Sequence, residues 1–150
     1  TLSTNALTQT DVPIELQWDG LPNTFVPGRN ALFLTIAASY AYQKGIRVIY
    51  TGVCETDFSG YPDCRAPFID AITHSINLAM DSTFEIRTPL MHKTKSETVL
   101  MMKTLGKLDW YAHTLTCYEG QQPACGKCPA CKLRLLGFQN AGIPDPLAYQ

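Results

Sequence analysis

Four cysteines crowd into a short stretch near the carboxyl end of the chain, and this cluster constrains the fold more than any other feature. It reads Cys117-x7-Cys125-x2-Cys128-x2-Cys131. Cysteines with two residues between them have poor geometry for a mutual disulfide, but they can place two thiolates on one metal ion. Zinc takes four such sulfurs in a tetrahedron that leaves no position for water. The spacing therefore predicts one structural zinc ion per chain. The alternatives are an iron–sulfur cluster, a redox dithiol or unliganded cysteines.

Composition excludes several classes of protein. The chain has 150 residues and a formal net charge of −1, so it lacks the basic excess of a general nucleic-acid binder. No apolar run is long enough to span a membrane, and the polar first 21 residues do not form a signal peptide. Cysteines spaced for a metal indicate a reducing compartment. We therefore expect a cytoplasmic protein that binds neither membranes nor nucleic acid directly.

Apolar patterns predict helices that alternate with strands. The predicted helices lie at 30–42, from Pro67 to Met80, at 94–105 and at 130–138, and the predicted strands lie at 46–53 and 84–88, with a short one near 14–18. The second helix has one apolar stripe with His74 away from it, toward solvent, and Thr94 to Glu97 fits a capping box at the start of the third. The first helix is apolar nearly all round, and the 46–53 run is typical of an inner parallel strand, so both should be buried. Alternation with short loops predicts an α/β fold with a doubly wound parallel sheet.

Two clear strands make a thin sheet, so we expect the N-terminal strands to be missing. The prediction is a single domain in four parts: an irregular lead-in at 1–28, an α/β portion at 29–112, a zinc-binding segment at 113–139 and a loose tail at 140–150.

Three segments are candidates for binding a ligand. The loop from Cys54 to Arg65 follows a predicted strand, at the edge where parallel sheets bind ligands. Its carboxylates, aromatics and arginine suit a flat polar heterocycle, although a solvated turn is an equal alternative. Arg29 and Asn30 open the first helix, where an anion could bind, although a simple cap fits better. Lys95 follows the next strand, where a lysine is usually solvated.

Together these segments resemble the 7-cyano-7-deazaguanine synthase family of the PP-loop ATP-pyrophosphatase superfamily, which acts in queuosine biosynthesis. The resemblance spans residues 21–134. It is carried by LPNTFVPGRN at 21–30, TGVCETDFSGYPDCR at 51–65, TPL at 88–90 with Lys95-x-Glu97, and LTCY at 115–118 before the cysteines. The middle segment is long and unusual in composition, which makes chance agreement remote.

The resemblance implies a PP-loop fold, of the adenine nucleotide alpha hydrolase-like type, with a C-terminal zinc loop. It implies a ligase that converts 7-carboxy-7-deazaguanine and ammonia to the nitrile, with ATP and Mg, through an adenylated carboxylate. A homodimer is also implied. The implied substrate-binding residues are Asp57, Tyr61, Asp63 and Arg65. Arg29 and Asn30 would lie on the nucleotide side, and Lys95 and Arg65 would be catalytic.

One departure from the family is large. The Ser-Gly-Gly-x-Asp-Ser loop that holds ATP phosphates does not occur, and the sequence contains no paired glycines. We therefore expect a piece of a longer enzyme that is inactive by itself. Two other functions stay open: a stand-alone zinc module that binds RNA or a protein partner, and a paralogue that attaches a deazapurine to another acceptor.

Overall fold

The computed structural model describes residues 5–7, 12–15, 17, 20–56 and 60–150. The chain forms two compact units, Thr1–His92 and Lys93–Gln150. The first unit contains α1 (Arg29–Gln43), β1 (Val48–Tyr50), a short 3₁₀ helix (Pro62–Cys64), α2 (Ala66–Met80) and β2 (Glu85–Arg87). The second contains α3 (Lys95–Thr104), a 3₁₀ helix (Leu108–His113) and α4 (Pro129–Asn140). The predicted four-part division of a single domain stays a prediction.

β1 and β2 pair in parallel, with Ile49 opposite Ile86, so the predicted parallel pairing is confirmed. Both strands are shorter than predicted, and within the described residues the sheet has only these two. The prediction that β1 is covered on both faces is wrong, since Tyr50 is exposed and its neighbours are half-buried. The doubly wound arrangement stays a prediction. The strand predicted near 14–18 includes Leu16 and Trp18, which lie outside the described residues.

The core of the first unit lies between α1, the sheet and α2. From α1 it receives Leu34, Ala38 and Ala41, which lie on one helix face at spacings of four and three. The opposite face carries Phe33, Ile36 and Tyr40, which are 59%, 58% and 63% exposed. The prediction that this helix is buried on most of its surface is therefore wrong, because the described residues cover only one side of it.

α2 follows the predicted amphipathic pattern. Pro67 lies in its first turn, where a missing N–H costs nothing. Ile69 and Ile76 are buried, Ile72 and Met80 pack beside them, and His74 faces solvent as predicted. At the other end, the Asn77 side chain bonds both backbone polar groups of Phe84 and so fixes the turn into β2.

In the second unit, α3 begins with the predicted capping box. The Glu97 N–H donates to Thr94 Oγ1 at 3.3 Å, and the Thr94 N–H donates to Glu97 Oε2 at 2.7 Å. α4 packs closely on α3 at Gly137, where a Cβ would come within 2.8 Å of the Lys95 Cβ.

The carboxyl-terminal residues are not the loose tail that the sequence predicts. Ala124 N–H donates to the Ala148 carbonyl at 2.9 Å, and the Gln150 N–H donates to the Ala124 carbonyl at 3.0 Å. This parallel bridge joins the residues around Tyr149 to the cysteine loop. The Asp145 side chain, which is buried in an ion pair, accepts a hydrogen bond from the Tyr149 hydroxyl and so holds the bridge in place. The prediction failed because a short bridge leaves no periodic pattern in the sequence. Among the described residues, no helix is long and apolar enough to cross a bilayer.

Candidate metal centre and ligand loop

The four predicted metal ligands meet in the second unit. The Sγ atoms of Cys117, Cys125, Cys128 and Cys131 all lie within 4.8 Å of one another, and all four residues are buried. Sulfurs about 2.3 Å from a tetrahedral zinc ion lie about 3.8 Å apart, and Cys125 and Cys131 are 3.9 Å apart. An iron–sulfur cluster would spread its four thiolates further, since they bind two or four different iron atoms and not one ion. The set fits a single ion such as zinc.

Backbone N–H groups point at these sulfurs. The N–H of Cys128 lies 3.3 Å from Cys125 Sγ, that of Lys127 3.4 Å from the same atom, and that of Tyr118 3.4 Å from Cys128 Sγ. Such donors stabilise thiolate charge without a counter-ion. The guanidinium of Arg134, in α4, is not a counter-charge for these thiolates, because it is paired with Asp145.

The same donors change the acidity of the thiols. Burial alone would raise the pKa of Cys117, but backbone N–H groups, that of Cys125 first, outweigh it and lower the pKa to about 6. Burial and the neighbouring sulfurs raise the pKa of Cys131 to about 12. Metal binding would therefore release protons that the metal-free thiols still hold.

The start of α4 belongs to this centre. Cys128 is the N-cap residue, its sulfur accepts the N–H of Cys131 at 3.5 Å, and Pro129 occupies the first helical position. Helix initiation and ligand placement thus use the same residue.

In the first unit, Glu55 joins the loops that follow the two strands. Its N–H donates to the Met91 carbonyl at 3.1 Å, and one carboxylate oxygen accepts the Ala66 N–H at the start of α2 at 3.1 Å. The other oxygen lies 2.9 Å from His92 Nδ1. Neither Glu55 nor His92 was predicted as a site residue, because their contact depends on the pairing of β1 with β2. The only signal was an acidic side chain ahead of a helix start.

Tyr61, a predicted substrate residue, is buried. Its hydroxyl shares a hydrogen bond of 2.6 Å with Thr24. Its ring lies 5.7 Å from that of Phe25, and the Arg29 guanidinium lies 5.7 Å from the ring centroid. A predicted nucleotide residue and a predicted substrate residue are therefore neighbours.

Asp63 is 6% exposed and is held by Asn30. Its Oδ2 accepts the Asn30 N–H at 3.1 Å, and its backbone carbonyl accepts the Asn30 side-chain amide at 3.0 Å. Arg65 is exposed and lies 3.4 Å from the Gly60 carbonyl, whereas Asp57 lies outside the described residues. The described loop therefore brings Tyr61 and Asp63 together with Arg29 and Asn30.

Cys64 is not an activated nucleophile. Burial, and after it the charge of Asp63, raises the pKa of the Cys64 thiol, and the Asn30 amide lies 3.3 Å from its sulfur. It therefore stays a protonated thiol at neutral pH.

Lys95 opens α3 in the second unit, where its stem packs against Gly137. Its predicted phosphate contact stays a prediction.

Comparison with known proteins shows the family to which the chain belongs. The family model described as "Queuosine biosynthesis protein QueC" matches residues 1–142. The chain is similar to three proteins named 7-cyano-7-deazaguanine synthase. It is 50% identical to that of Chromobacterium violaceum over 95% of this chain and 62% of the relative. It is 54% identical to that of Staphylococcus haemolyticus over 93% of this chain and 63% of the relative. It is 50% identical to that of Laribacter hongkongensis over 97% of this chain and 65% of the relative. The chain thus spans less than two thirds of these relatives' length.

Proposed function

Because the chain belongs to the QueC family of queuosine biosynthesis proteins, we propose that it is part of a 7-cyano-7-deazaguanine synthase. The observation that carries this proposal is identity of 50% or more, over nearly the whole chain, to proteins with that name. No observation favours a stand-alone zinc module or a paralogue with another acceptor.

The proposed reaction is an ATP-dependent C–N ligation. A carboxylate does not react with ammonia because its leaving group is poor. Transfer of AMP from ATP to the carboxylate of 7-carboxy-7-deazaguanine releases pyrophosphate, and ammonia then displaces AMP to give the amide. A second ATP transfers AMP to the amide oxygen, with release of pyrophosphate and one amide proton. Elimination of AMP, which carries that oxygen, and of the second amide proton then gives the nitrile. Protein groups would act mainly by positioning and by stabilising charge.

We assign the heterocycle to the loop after β1. Carboxylates such as Asp57 and Asp63 suit the N–H donors of a guanine-like edge, and Tyr61 offers an aromatic face. Arg65 has an exposed guanidinium that suits the substrate carboxylate. Arg29 and Asn30 on the nucleotide side and Lys95 at the phosphates complete the assignment, with Arg65 and Lys95 as the catalytic residues.

The proposed cofactor is one structural zinc ion, and ATP with Mg is the co-substrate. Four thiolates fill the coordination sphere, so the zinc would hold the fold together and leave no open position for a substrate. The longer protein is proposed to be a cytoplasmic homodimer that does not bind nucleic acid directly.

The decisive experiment uses calorimetry on the full-length protein, with 7-carboxy-7-deazaguanine and ATP titrated separately. Asp63→Ala and Arg65→Ala should each weaken the deazaguanine by about tenfold to a hundredfold, since a hydrogen bond to a charged group contributes about 1.5–3 kcal/mol. ATP affinity should change little.

Asp70→Ala is the matched control, because Asp70 is an exposed carboxylate on α2 in the same unit. It should change neither affinity. Unchanged deazaguanine affinity in both site variants would refute the site assignment. A wild-type protein that makes no nitrile from 7-carboxy-7-deazaguanine, ammonia and ATP would refute the function.

A further inference from the structure

We propose that Asn30 is a positioning residue that aims the Asp63 carboxylate at an N–H donor of the heterocyclic substrate. This inference rests on the proposed function. It moves Asn30 from the nucleotide side of the site to the substrate side, and it names the oxygen atom that the substrate would use.

Asn30 holds Asp63 at two points. Its backbone N–H binds Oδ2 at 3.1 Å, and its side-chain amide binds the Asp63 carbonyl at 3.0 Å. One bond fixes the carboxylate and the other fixes the backbone that carries it. Asn30 is the second residue of a 15-residue helix, so both hydrogen bonds come from a rigid element.

The second carboxylate oxygen of Asp63 has no hydrogen-bond partner among the described residues. Asp63 Oδ1 is buried, and no donor among the described residues reaches it. Buried carboxylate oxygens in native proteins almost always have partners, so this one is poised for a donor from outside the described structure. Glu55, the other described carboxylate of the loop, already uses one oxygen for Ala66 and the other for His92.

The donors of Asn30 are already used. Its N–H points at Asp63, and its amide lies within reach of the Asp63 carbonyl and of Cys64 Sγ at 3.3 Å. A phosphate at this helix start would have to compete with a carboxylate already bound there. Asn30 therefore acts on a ligand through Asp63, and not on ATP directly.

The test is a double-mutant cycle in the full-length protein, with 7-carboxy-7-deazaguanine and ATP as separate probes. Asn30→Ala should weaken deazaguanine binding by about tenfold and raise its KM, with kcat and ATP affinity much less affected. In an Asp63→Ala background the same substitution should cause little further loss, since two residues that act as one unit are not additive.

Asn77→Ala is the matched control. Asn77 makes the same kind of side-chain bonds to backbone, to both polar groups of Phe84, in the same unit. It lies about 16 Å along α2 from the helix start beside Arg65. It should lower thermal stability to a similar degree without changing either affinity. Both Asn30→Ala and Asn30→Ser keep the backbone N–H that binds Asp63 Oδ2, and alanine removes only the side-chain bond to the Asp63 carbonyl. Asn30→Ser keeps a side-chain hydrogen-bond donor, so it should give a smaller loss than Asn30→Ala, and it is the variant to use if the alanine variant does not fold.

The outcomes separate this inference from the proposed function. If wild type binds the deazaguanine and Asn30→Ala weakens ATP instead, Asn30 is a nucleotide residue and the inference is wrong. Fully additive losses with Asp63→Ala, or unchanged deazaguanine affinity, would also overturn it. If the wild-type protein does not bind the deazaguanine at all, the proposed function is wrong, and the inference that rests on it is wrong too.

Discussion

Arg134 donates hydrogen bonds from all three of its guanidinium nitrogens. Nε and one terminal nitrogen bind the two oxygens of Asp145 at 2.7 and 2.8 Å. The remaining bonds go to the Tyr111 carbonyl and to the carbonyl and hydroxyl of Thr114. Both charged side chains are 5% exposed. One residue of α4 therefore ties together the segment before the cysteines and the segment after the helix.

Asp145→Ala should strongly destabilise the second unit. It would leave a buried guanidinium without its partner, which costs about 3–5 kcal/mol. Denaturant unfolding of the 150-residue chain measures the loss. Asp109→Ala, which removes an exposed carboxylate of the same unit, should change stability by less than about 0.5 kcal/mol. Equal effects of the two substitutions would show that the buried pair contributes nothing.

The Asp145 pair should also depend on pH. Burial alone would raise the pKa of Asp145, but hydrogen bonds from Arg134, Tyr149 and the Leu147 N–H outweigh it and hold the pKa below its usual 3.8. The folded carboxyl therefore binds its proton less tightly than the unfolded one. The contribution of Asp145 to stability is complete above its unfolded pKa and is lost as pH falls through the lower folded value. The stability difference between wild type and Asp145→Ala should thus shrink below about pH 4. A difference that stays constant down to pH 2 would contradict this.

At the scale of elements, the metal centre and α4 share Cys128. Serine caps helices well, so Cys128→Ser keeps the cap and removes only a soft ligand. We expect wild type to carry one zinc ion per chain and the variant less than half an equivalent, with a lower melting temperature because metal-binding energy is folding energy. Elemental analysis and thermal unfolding measure both. Cys54→Ser, in the first unit, should keep its zinc. Iron in place of zinc in wild type would contradict the assignment.

The packing of α4 on α3 depends on the missing side chain of Gly137. A Cβ there would lie 2.8 Å from the Lys95 Cβ, so one helix must shift. Gly137→Ala should cost about 1–3 kcal/mol in unfolding free energy even though alanine favours helix, because overpacking outweighs propensity. Leu136→Ala, at an exposed neighbouring position, should change little. A more stable Gly137→Ala protein would show that the helices separate at no cost.

Elements that depend on local patterns were predicted well, and those that depend on distant partners were not. The stripe on α2 and the Thr94–Glu97 capping box lie within one or a few turns, so their residues determine them directly. The four cysteines were correctly predicted to lie together for the same reason, since they are close to one another in the sequence. The Glu55–His92 contact and the bridge at Tyr149 join segments far apart in sequence, and no periodic pattern marks such contacts.

At the scale of the molecule, the exposed face of α1 is the main unexplained feature. Phe33, Ile36 and Tyr40 place large apolar groups in solvent on the side opposite the core. Apolar patches of this kind mark surfaces that another segment covers. The relatives that match are longer than this chain, which spans 62–65% of their length. We therefore expect additional residues of the longer protein to cover this face.

Phe33→Ala tests that expectation when it is made at two chain lengths. In the 150-residue chain the ring is largely exposed already, so the unfolding free energy should change by no more than about 0.5 kcal/mol. In a protein of the relatives' length the ring should be buried, and its removal should cost about 3–5 kcal/mol. Leu34→Ala is the control, since Leu34 is buried within the first unit and should cost about 2–5 kcal/mol at both lengths. Small effects of Phe33→Ala at both lengths would mean that the face stays open. If the 150-residue chain self-associates and Phe33→Ala abolishes that, a second copy covers the face instead, because the same apolar area would then drive association.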